Sequence, residues 1–459
     1  MAPKISQIPI AAEAEQALAA LDRALSASGE RRKLVVVTVD CESRDLLEWL
    51  ARTPQAIRTY WRGREGHLEI AGCGEALKVV AEQPEQYESA FAKMTQTLQT
   101  LPADVEARWL GGICYDPARA YDDLWSGFPR LWFVMPEITI TRRDDRYQLT
   151  LALRQGESGK REQLEERLLQ LFDPGKPEFQ VRHTKYERQD IPAHNDWLVQ
   201  IEQARLQMKA GELDKVVLAR RSDLRLAEPL EPTWFVEQLR IANRSGYTFM
   251  LQPQGGNAFV GAPPERLFKI KGRELFTEAI AGTRPISESE AETERYAAEL
   301  RHSDKDSAEH SFVVSAIKES LAPLCEDLKS APEPEIMRLG TVQHLRLPLQ
   351  GRLKPDVGIA ELLRAMHPTP AVGGTPRTAA LEFIRETEAF TRGWYAAPVG
   401  YLGRDTCEFA VAIRSALLHA NGLSLFAGAG IVAASEAEAE WQELEQKIVA
   451  PLRVLRESR

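Results

Sequence analysis

Two pairs of carboxylates, each spaced three residues apart, carry the most legible chemistry in this sequence. Asp306 and Glu309 precede apolar residues at helical spacing, Phe312, Val313, Ala316, Ile317 and Leu321. Extended backward, that stripe puts both acids on the inward face of a helix running from about Ser303 to Leu324. Buried carboxylates need a counter-charge. The dipole of a helix's first turn offers one, and a bound cation offers another. Glu440 and Glu443 repeat the spacing beside a second stripe, Trp441, Leu444, Ile448, Leu452 and Leu455, with Lys447 following. Alone, that segment reads equally as a solvated face with a Glu443–Lys447 pair. Together the two pairs form a set of hard oxygen donors, and Mg2+ is the cation that suits a few carboxylates plus retained waters.

Other residues are chemically suggestive one at a time. Lys215 heads the strand-like run Lys-Val-Val-Leu-Ala-Arg; it is either a solvated strand-end lysine or, if buried among charges, a base with lowered pKa. Glu265 follows Pro263 and Pro264, so it is either a turn glutamate in water or a carboxyl held in a fixed direction. Arg414 lies in the apolar run Phe409 to Leu418 and requires an anion, either Glu408 or Asp405 or a ligand. Tyr395 and His344 sit in apolar surroundings where a structural role is the simpler alternative. Gly428 and Gly430 stand two apart in Gly422 to Val432, which places both on one face of a strand. A strand face without side chains lets a ligand lie against backbone. Ser435 then stands where a helix N-cap is expected. Nucleophile-elbow, Walker-type and Rossmann signatures are absent from the sequence.

The elements that must position these residues come in hairpin-like runs rather than strict strand–helix alternation. Strands are expected near 33–39, 107–114, 131–153, 215–220, 259–268 (broken by a turn at Pro263-Pro264), 275–284, 337–353, 399–401 and 409–418, with helices near 11–29, 82–101, 155–171, 194–211 and 303–324. This pattern favours an α+β fold with large antiparallel sheets over a doubly wound parallel sheet. The segment Phe172-Asp-Pro-Gly-Lys-Pro-Glu178 is the expected boundary between an N-terminal part, 1–185, and a motif-rich part, 186–459, in one intertwined unit.

Composition narrows the class. The chain has 459 residues, 44% hydrophobic and 27% charged, with a formal net charge of −9, which argues against non-specific nucleic-acid binding. It contains no run of about 18 apolar residues, so no membrane insertion is expected, and the N-terminus lacks signal-peptide character. The scattered cysteines, Cys41, Cys73, Cys114, Cys325 and Cys407, form neither a disulfide framework nor a metal-ligand pattern, and a cytoplasmic setting is expected.

Taken in order, the segments resemble the chorismate-utilising enzymes. The resemblance rests on Lys215-Val-Val-Leu-Ala-Arg, Gly261-Ala-Pro-Pro-Glu-Arg-Leu, Ile280-Ala-Gly-Thr-Arg-Pro, Asp306-Ser-Ala-Glu-His, Val342-Gln-His-Leu and Met366-His-Pro-Thr-Pro-Ala-Val-Gly-Gly-Thr-Pro. It continues through Arg392-Gly-Trp-Tyr-Ala-Ala-Pro-Val-Gly, Val411-Ala-Ile-Arg-Ser-Ala, Phe426-Ala-Gly-Ala-Gly-Ile-Val and Glu440-Trp-Gln-Glu-Leu-Glu-Gln-Lys, spanning about residues 190–455. It implies two large antiparallel sheets packed together, with helices outside and the site between them. It also implies that Glu309 and Glu443 ligate Mg2+ and that Asp306 and Glu440 act through its waters, the metal holding the ring carboxylate of chorismate. Tyr395, Arg414 and the backbone at Gly428 and Gly430 would hold the enolpyruvyl carboxylate. Thr283 and His344, with Ala281 and Gly282, would line the ring.

Within the family, the nucleophile separates the products. Ala281 occupies the position where one type of aminodeoxychorismate synthase carries lysine, and Lys215 is a residue that anthranilate synthases generally lack. The resemblance therefore implies water as nucleophile at C2, with Lys215 as general base and Glu265 as general acid on the departing C4 hydroxyl, and no glutaminase subunit. Arg392 to Gly400 and Glu408 to Arg414 look most like the isochorismate synthases of menaquinone biosynthesis. Tyr401 departs from the tryptophan frequent there. Salicylate synthase, which also eliminates pyruvate, is the alternative; an anthranilate synthase subunit or a non-catalytic relative fits less well.

Overall fold

The computed structural model describes residues 11–28, 34–53, 57–155, 159–173, 175, 185–243, 245–254, 256–339, 342–420 and 422–457, without the side chains of 305, 308, 309, 339, 456 and 457. The expected boundary at 172–178 falls largely outside the described residues.

Twenty-two described strands form two antiparallel sheets. The larger has twelve strands, in the order Leu34–Cys41, Arg146–Arg154, Ile138–Arg143, Leu68–Cys73, Arg58–Arg62, Thr248–Gln252, Ala258–Gly261, Ser415–His419, Gly422–Ile431, Lys215–Leu226 and Gly374–Thr375, with Tyr186–Ile191 also pairing with Lys215–Leu226. The second has ten, in the order Cys325–Ser330, Val342–Leu353, Glu274–Pro285, Arg266–Lys271, Thr406–Val411, Pro398–Leu402, Trp109–Ile113, Leu131–Met135 and Leu77–Ala81, with Glu335–Leu339 beside Val342–Leu353. This is the expected α+β architecture of two large antiparallel sheets. Strands from the first 154 residues enter both sheets: Tyr60 pairs with Met250 in one and Gly111 with Gly400 in the other.

One apolar cluster lies between the sheets, with Trp109, Trp125, Phe259, Trp394, Tyr395 and Phe426 among its buried rings. A second covers the outer face of the larger sheet, where the helix Ala437–Glu457 buries Trp441, Leu444, Ile448, Leu452 and Leu455 as its spacing predicts. The same alternation orients Lys215–Leu226. Val216 and Leu218 enter the outer cluster, so Lys215, Val217 and Ala219 face the second sheet.

Three local readings need correction. The break expected at Pro263-Pro264 is present but is also a change of sheet, and Phe409–Leu418 is not one continuous strand. Ala258–Gly261 and Ser415–His419 pair in the larger sheet, whereas Arg266–Lys271 and Thr406–Val411 pair in the second. The chain thus crosses between sheets at 262–265 and returns at 412–414, and Arg414 sits on the return with φ at +49°, not inside a strand. Phe312 is exposed rather than buried; the inward face of Asp304–Leu321 is Asp306, His310, Val313, Val314, Ile317 and Leu321. The Ser435 hydroxyl accepts from Val432 N at 3.1 Å and closes the turn before the helix instead of capping it.

Candidate active site

The two crossovers are stitched together where the sheets meet. The Ala262 amide donates to the Arg414 carbonyl at 3.1 Å, and the Val411 amide donates to the Glu265 carbonyl at 3.1 Å. Glu265 and Arg414 are thereby fixed at the two ends of one seam that belongs to both sheets. The half-buried Glu265 carboxyl is pushed up to about 7, by burial first and then by the nearby Glu278 charge, with Lys215 opposing. Lys215 therefore faces Glu265 from the larger sheet closely enough for its charge to be felt.

Arg414 makes no side-chain hydrogen bond or ion pair among the described residues. Its proposed partner Glu408 is taken by Tyr247, Arg266 and Lys269, and Asp405 is exposed. Burial lowers the Arg414 pKa with no carboxylate to offset it. A guanidinium in this position is suited to an incoming anion.

Gly428 and Gly430 present bare backbone opposite these groups. A β-carbon at Gly428 would stand 2.9 Å from the Tyr395 hydroxyl, and one at Gly430 would stand 3.1 Å from Lys215 Cε. Tyr395 is held by stacking on Phe426, with ring centroids 5.3 Å apart. Lys447 Nζ donates to the Gly428 carbonyl at 2.7 Å and pairs with Glu443 at 2.6 Å, so the helix Ala437–Glu457 is tied to the glycine strand at this point.

The opposite wall is the strand Glu274–Pro285, whose pairing with Val342–Leu353 is interrupted between Ala281 and Arg284. Gly282, at φ +71°, makes this bulge, and a β-carbon on it would lie 3.0 Å from Asp306 Oδ1. Its carbonyl accepts from His344 Nδ1 at 3.0 Å, and Thr283 Oγ1 lies 3.1 Å from the same nitrogen. Because a carbonyl can only accept, His344 carries its proton on Nδ1 and a lone pair on Nε2, which is buried without a partner among the described residues. Burial, with the charges of Arg414 and Lys447, lowers its pKa to about 4 against the opposing Gly282 bond. His344 is thus a neutral acceptor turned into a cationic neighbourhood.

The four acidic candidates stand as follows. Asp306 is buried and pairs with Arg284 at 2.8 Å. Glu443 is exposed and holds Lys447, and Glu440 is half-buried one turn earlier on the same helix. The Glu309 side chain lies outside the described residues, and among those described no three His, Cys, Asp or Glu groups are arranged around a metal position. The donor set nevertheless fits a hard cation. It is all carboxylate, and Asp306 and Glu443 each already draw a cationic side chain.

Sequence reasoning did not find the support behind this wall. Arg392 bonds buried Glu388 and the carbonyls of Val217 and Val372, and Glu388 accepts from the Ala219 amide at 2.8 Å. This pair locks the Lys215 strand to the 367–375 loop. Arg392 belongs to a recognised motif, but Glu388 carries no local signal.

The seam thus gathers a carboxyl raised by burial, a guanidinium without an ion pair among the described residues and bare strand backbone, groups suited to an anionic ligand. A family profile described as "Chorismate binding enzyme" matches residues 17–456. The chain is 32% identical over 412 residues to the isochorismate synthase MenF of Bacillus subtilis (strain 168), covering 85% of this chain and 86% of that one. It is 34% identical over 445 residues to the salicylate biosynthesis isochorismate synthase of Pseudomonas aeruginosa, covering 92% and 90%. The solved structure of MenF, the menaquinone-specific isochorismate synthase from Escherichia coli, matches with a TM-score of 0.83 at 30% identity, covering 97% of this chain and all of that one (100%). The protein belongs to the chorismate-binding enzyme family.

Proposed function

We propose that this enzyme is a Mg2+-dependent isochorismate synthase, an isomerase that converts chorismate to isochorismate, and that its product feeds menaquinone biosynthesis. The feature that carries the reading is Lys215, on the inner face of the larger sheet, near a Glu265 carboxyl on the crossover between the sheets whose pKa burial and the Glu278 charge push up to about 7. Lys215 acts as the general base that takes a proton from the water attacking C2. Glu265 gives its proton to the C4 oxygen as the C4–O bond breaks and the ring double bonds shift. One water enters and one leaves, and in the back reaction the two residues exchange roles.

Arg414 and Tyr395, with the backbone at Gly428 and Gly430, hold the enolpyruvyl carboxylate. His344 Nε2 accepts from a substrate hydroxyl, and Ala281, Gly282 and Thr283 line the ring. Glu309, Glu443, Asp306 and Glu440 would hold Mg2+, which supplies, when bound, the charge that neutralises the ring carboxylate. The role in menaquinone biosynthesis is supported by the MenF relatives.

Incubating the protein with chorismate, with and without Mg2+, and resolving the products by chromatography tests the reading. Isochorismate formed only with Mg2+ is expected. Salicylate plus pyruvate as main products would move the chain to the salicylate synthases. Anthranilate formed with ammonia would overturn the role of Lys215.

A further inference from the structure

Behind Glu265 lies a buried ionic cluster that reaches into the N-terminal part of the chain. The turn between the strands Arg58–Arg62 and Leu68–Cys73 belongs to the larger sheet, yet its residue Arg64 extends into the second. Arg64 grips both carboxylate oxygens of Glu278, Nη2 at 2.8 Å from Oε2, and its Nη1 donates to the Pro264 carbonyl at 3.1 Å. Glu278 has no exposed side-chain surface (0%) and also accepts from Arg346 Nε at 2.6 Å. The next turn residue, Glu65, accepts from the Arg266 guanidinium. The turn therefore holds the residues on both sides of Glu265, Pro264 through its carbonyl and Arg266 through its side chain.

We propose that Arg64 is a positioning residue for Glu265, fixing the direction of the acid through the Pro264 carbonyl and holding the Glu278 carboxylate in place behind it. The inference rests on Glu265 being the general acid and gives the N-terminal turn a part in catalysis. The electrostatics agree with the geometry. Burial drives the Glu278 pKa up, but the hydrogen bonds and charge of Arg64, then the charges of Arg266 and Arg346, bring it below the usual carboxylate value. An ionised Glu278 in turn raises Glu265. The charged or titratable groups around the pair are Lys215 on the Glu265 side and Arg64, Arg266, Arg346 and Tyr247 on the Glu278 side. Without its arginine partners, a carboxylate this buried would take up a proton and cease to act on its neighbour.

The test uses Glu278→Gln, which keeps shape and removes charge, together with Arg64→Met and Arg64→Lys. In the full-length enzyme, Glu278→Gln is expected to move the alkaline limb of the kcat profile about one pH unit lower. Arg64→Met is expected to lower kcat about tenfold or more with KM within a few-fold, and Arg64→Lys to restore part of the loss. Folding is followed by circular dichroism. A folded Arg64→Met enzyme with the wild-type kcat and pH profile, or an unmoved limb in Glu278→Gln, would overturn the proposal. The Glu265 titration is also read directly, as the carboxyl infrared difference between each protein and its Glu265→Gln counterpart. That reading decides the inference even if wild-type enzyme proves inert towards chorismate, a result that would instead overturn the isochorismate synthase reading. A Glu265 titration unchanged by Glu278→Gln counts against the proposal in either case.

Discussion

The side chain of Lys215 lies across the α-carbon of Gly430, so that a β-carbon there would stand 3.1 Å from Lys215 Cε and 3.6 Å from Nζ. Gly430→Ala therefore presses on the base rather than on the core, and the flexible lysine can yield by moving its amine. The expected result is kcat lowered roughly ten- to hundredfold, the cost of displacing a reacting group by about 1 Å, with an almost unchanged melting temperature. Gly428→Ala meets the Tyr395 hydroxyl at 2.9 Å, on a ring held against Phe426. That variant is expected to raise KM and lower the melting temperature together. Steady-state kinetics and thermal denaturation on both variants separate the two outcomes.

Lys215→Ala isolates the base from the binding site. Arg414, Tyr395 and the glycine backbone remain, so chorismate should still bind in the presence of Mg2+ while turnover falls roughly 10²–10⁴-fold, the usual worth of a positioned proton acceptor. Calorimetric titration with chorismate beside a product assay measures both. Wild-type turnover in the variant would remove Lys215 from the mechanism.

Much of this site was legible locally because its residues sit in short runs with clear periodicity. The helix Ala437–Glu457 keeps its stripe, and Gly428 and Gly430 share a face as their spacing requires. The two sheet-to-sheet crossings were less legible. Pro263-Pro264 marked a break but not a change of sheet, and nothing in Val411-Ala-Ile-Arg-Ser415 advertises the left-handed backbone of Arg414. The two crossings are matched to each other by pairings over more than a hundred residues, Ala258–Gly261 with Ser415–His419 and Arg266–Lys271 with Thr406–Val411, which no local pattern reveals. The Arg64–Glu278 contact has the same character. It joins residues 214 positions apart that share no motif, so only the folded chain brings them together.

Glu265 should make both activity and its own contribution to stability fall as pH rises. As the proton donor it must be protonated, so kcat/KM is expected to fall as pH rises through about 7. The unfolded carboxyl titrates near 4.5 and the folded one near 7, so between these values the folded chain holds the extra proton and Glu265 progressively subtracts stability as pH rises. Glu265→Gln should therefore be inactive yet more stable than wild type above pH 7, with the difference vanishing towards pH 4.5. Urea denaturation at a series of pH values checks it; a constant difference would show that folding does not raise the Glu265 pKa.

Arg414 is expected to be a liability for the fold and an asset for binding. Its half-buried guanidinium has no carboxylate partner among the described residues, and its backbone is left-handed at φ +49°. Arg414→Gln removes the uncompensated charge, so the melting temperature should hold or rise. The same change removes a charge-assisted contact worth about 1.5–3 kcal/mol, so KM for chorismate should increase roughly ten- to hundredfold. A large loss of stability with unaltered KM would mean that Arg414 is structural.

The metal assignment makes a separable prediction about the helix Ala437–Glu457. Glu443 pairs with Lys447 in the protein alone, and Lys447 also holds the Gly428 carbonyl. Glu443→Gln deletes the charge a cation would use but leaves Lys447 its backbone anchor, so the glycine strand should stay in place. The Mg2+ concentration for half-maximal activity is then expected to rise about tenfold or more, whereas chorismate KM at saturating Mg2+ changes less. Arg284 pairs with Asp306, so Arg284→Met is expected to shift the same Mg2+ titration the other way by freeing a carboxylate. Titrating Mg2+ into chelator-treated wild type and both variants provides the comparison. An unaltered Mg2+ requirement in Glu443→Gln would remove Glu443 from the ligand set.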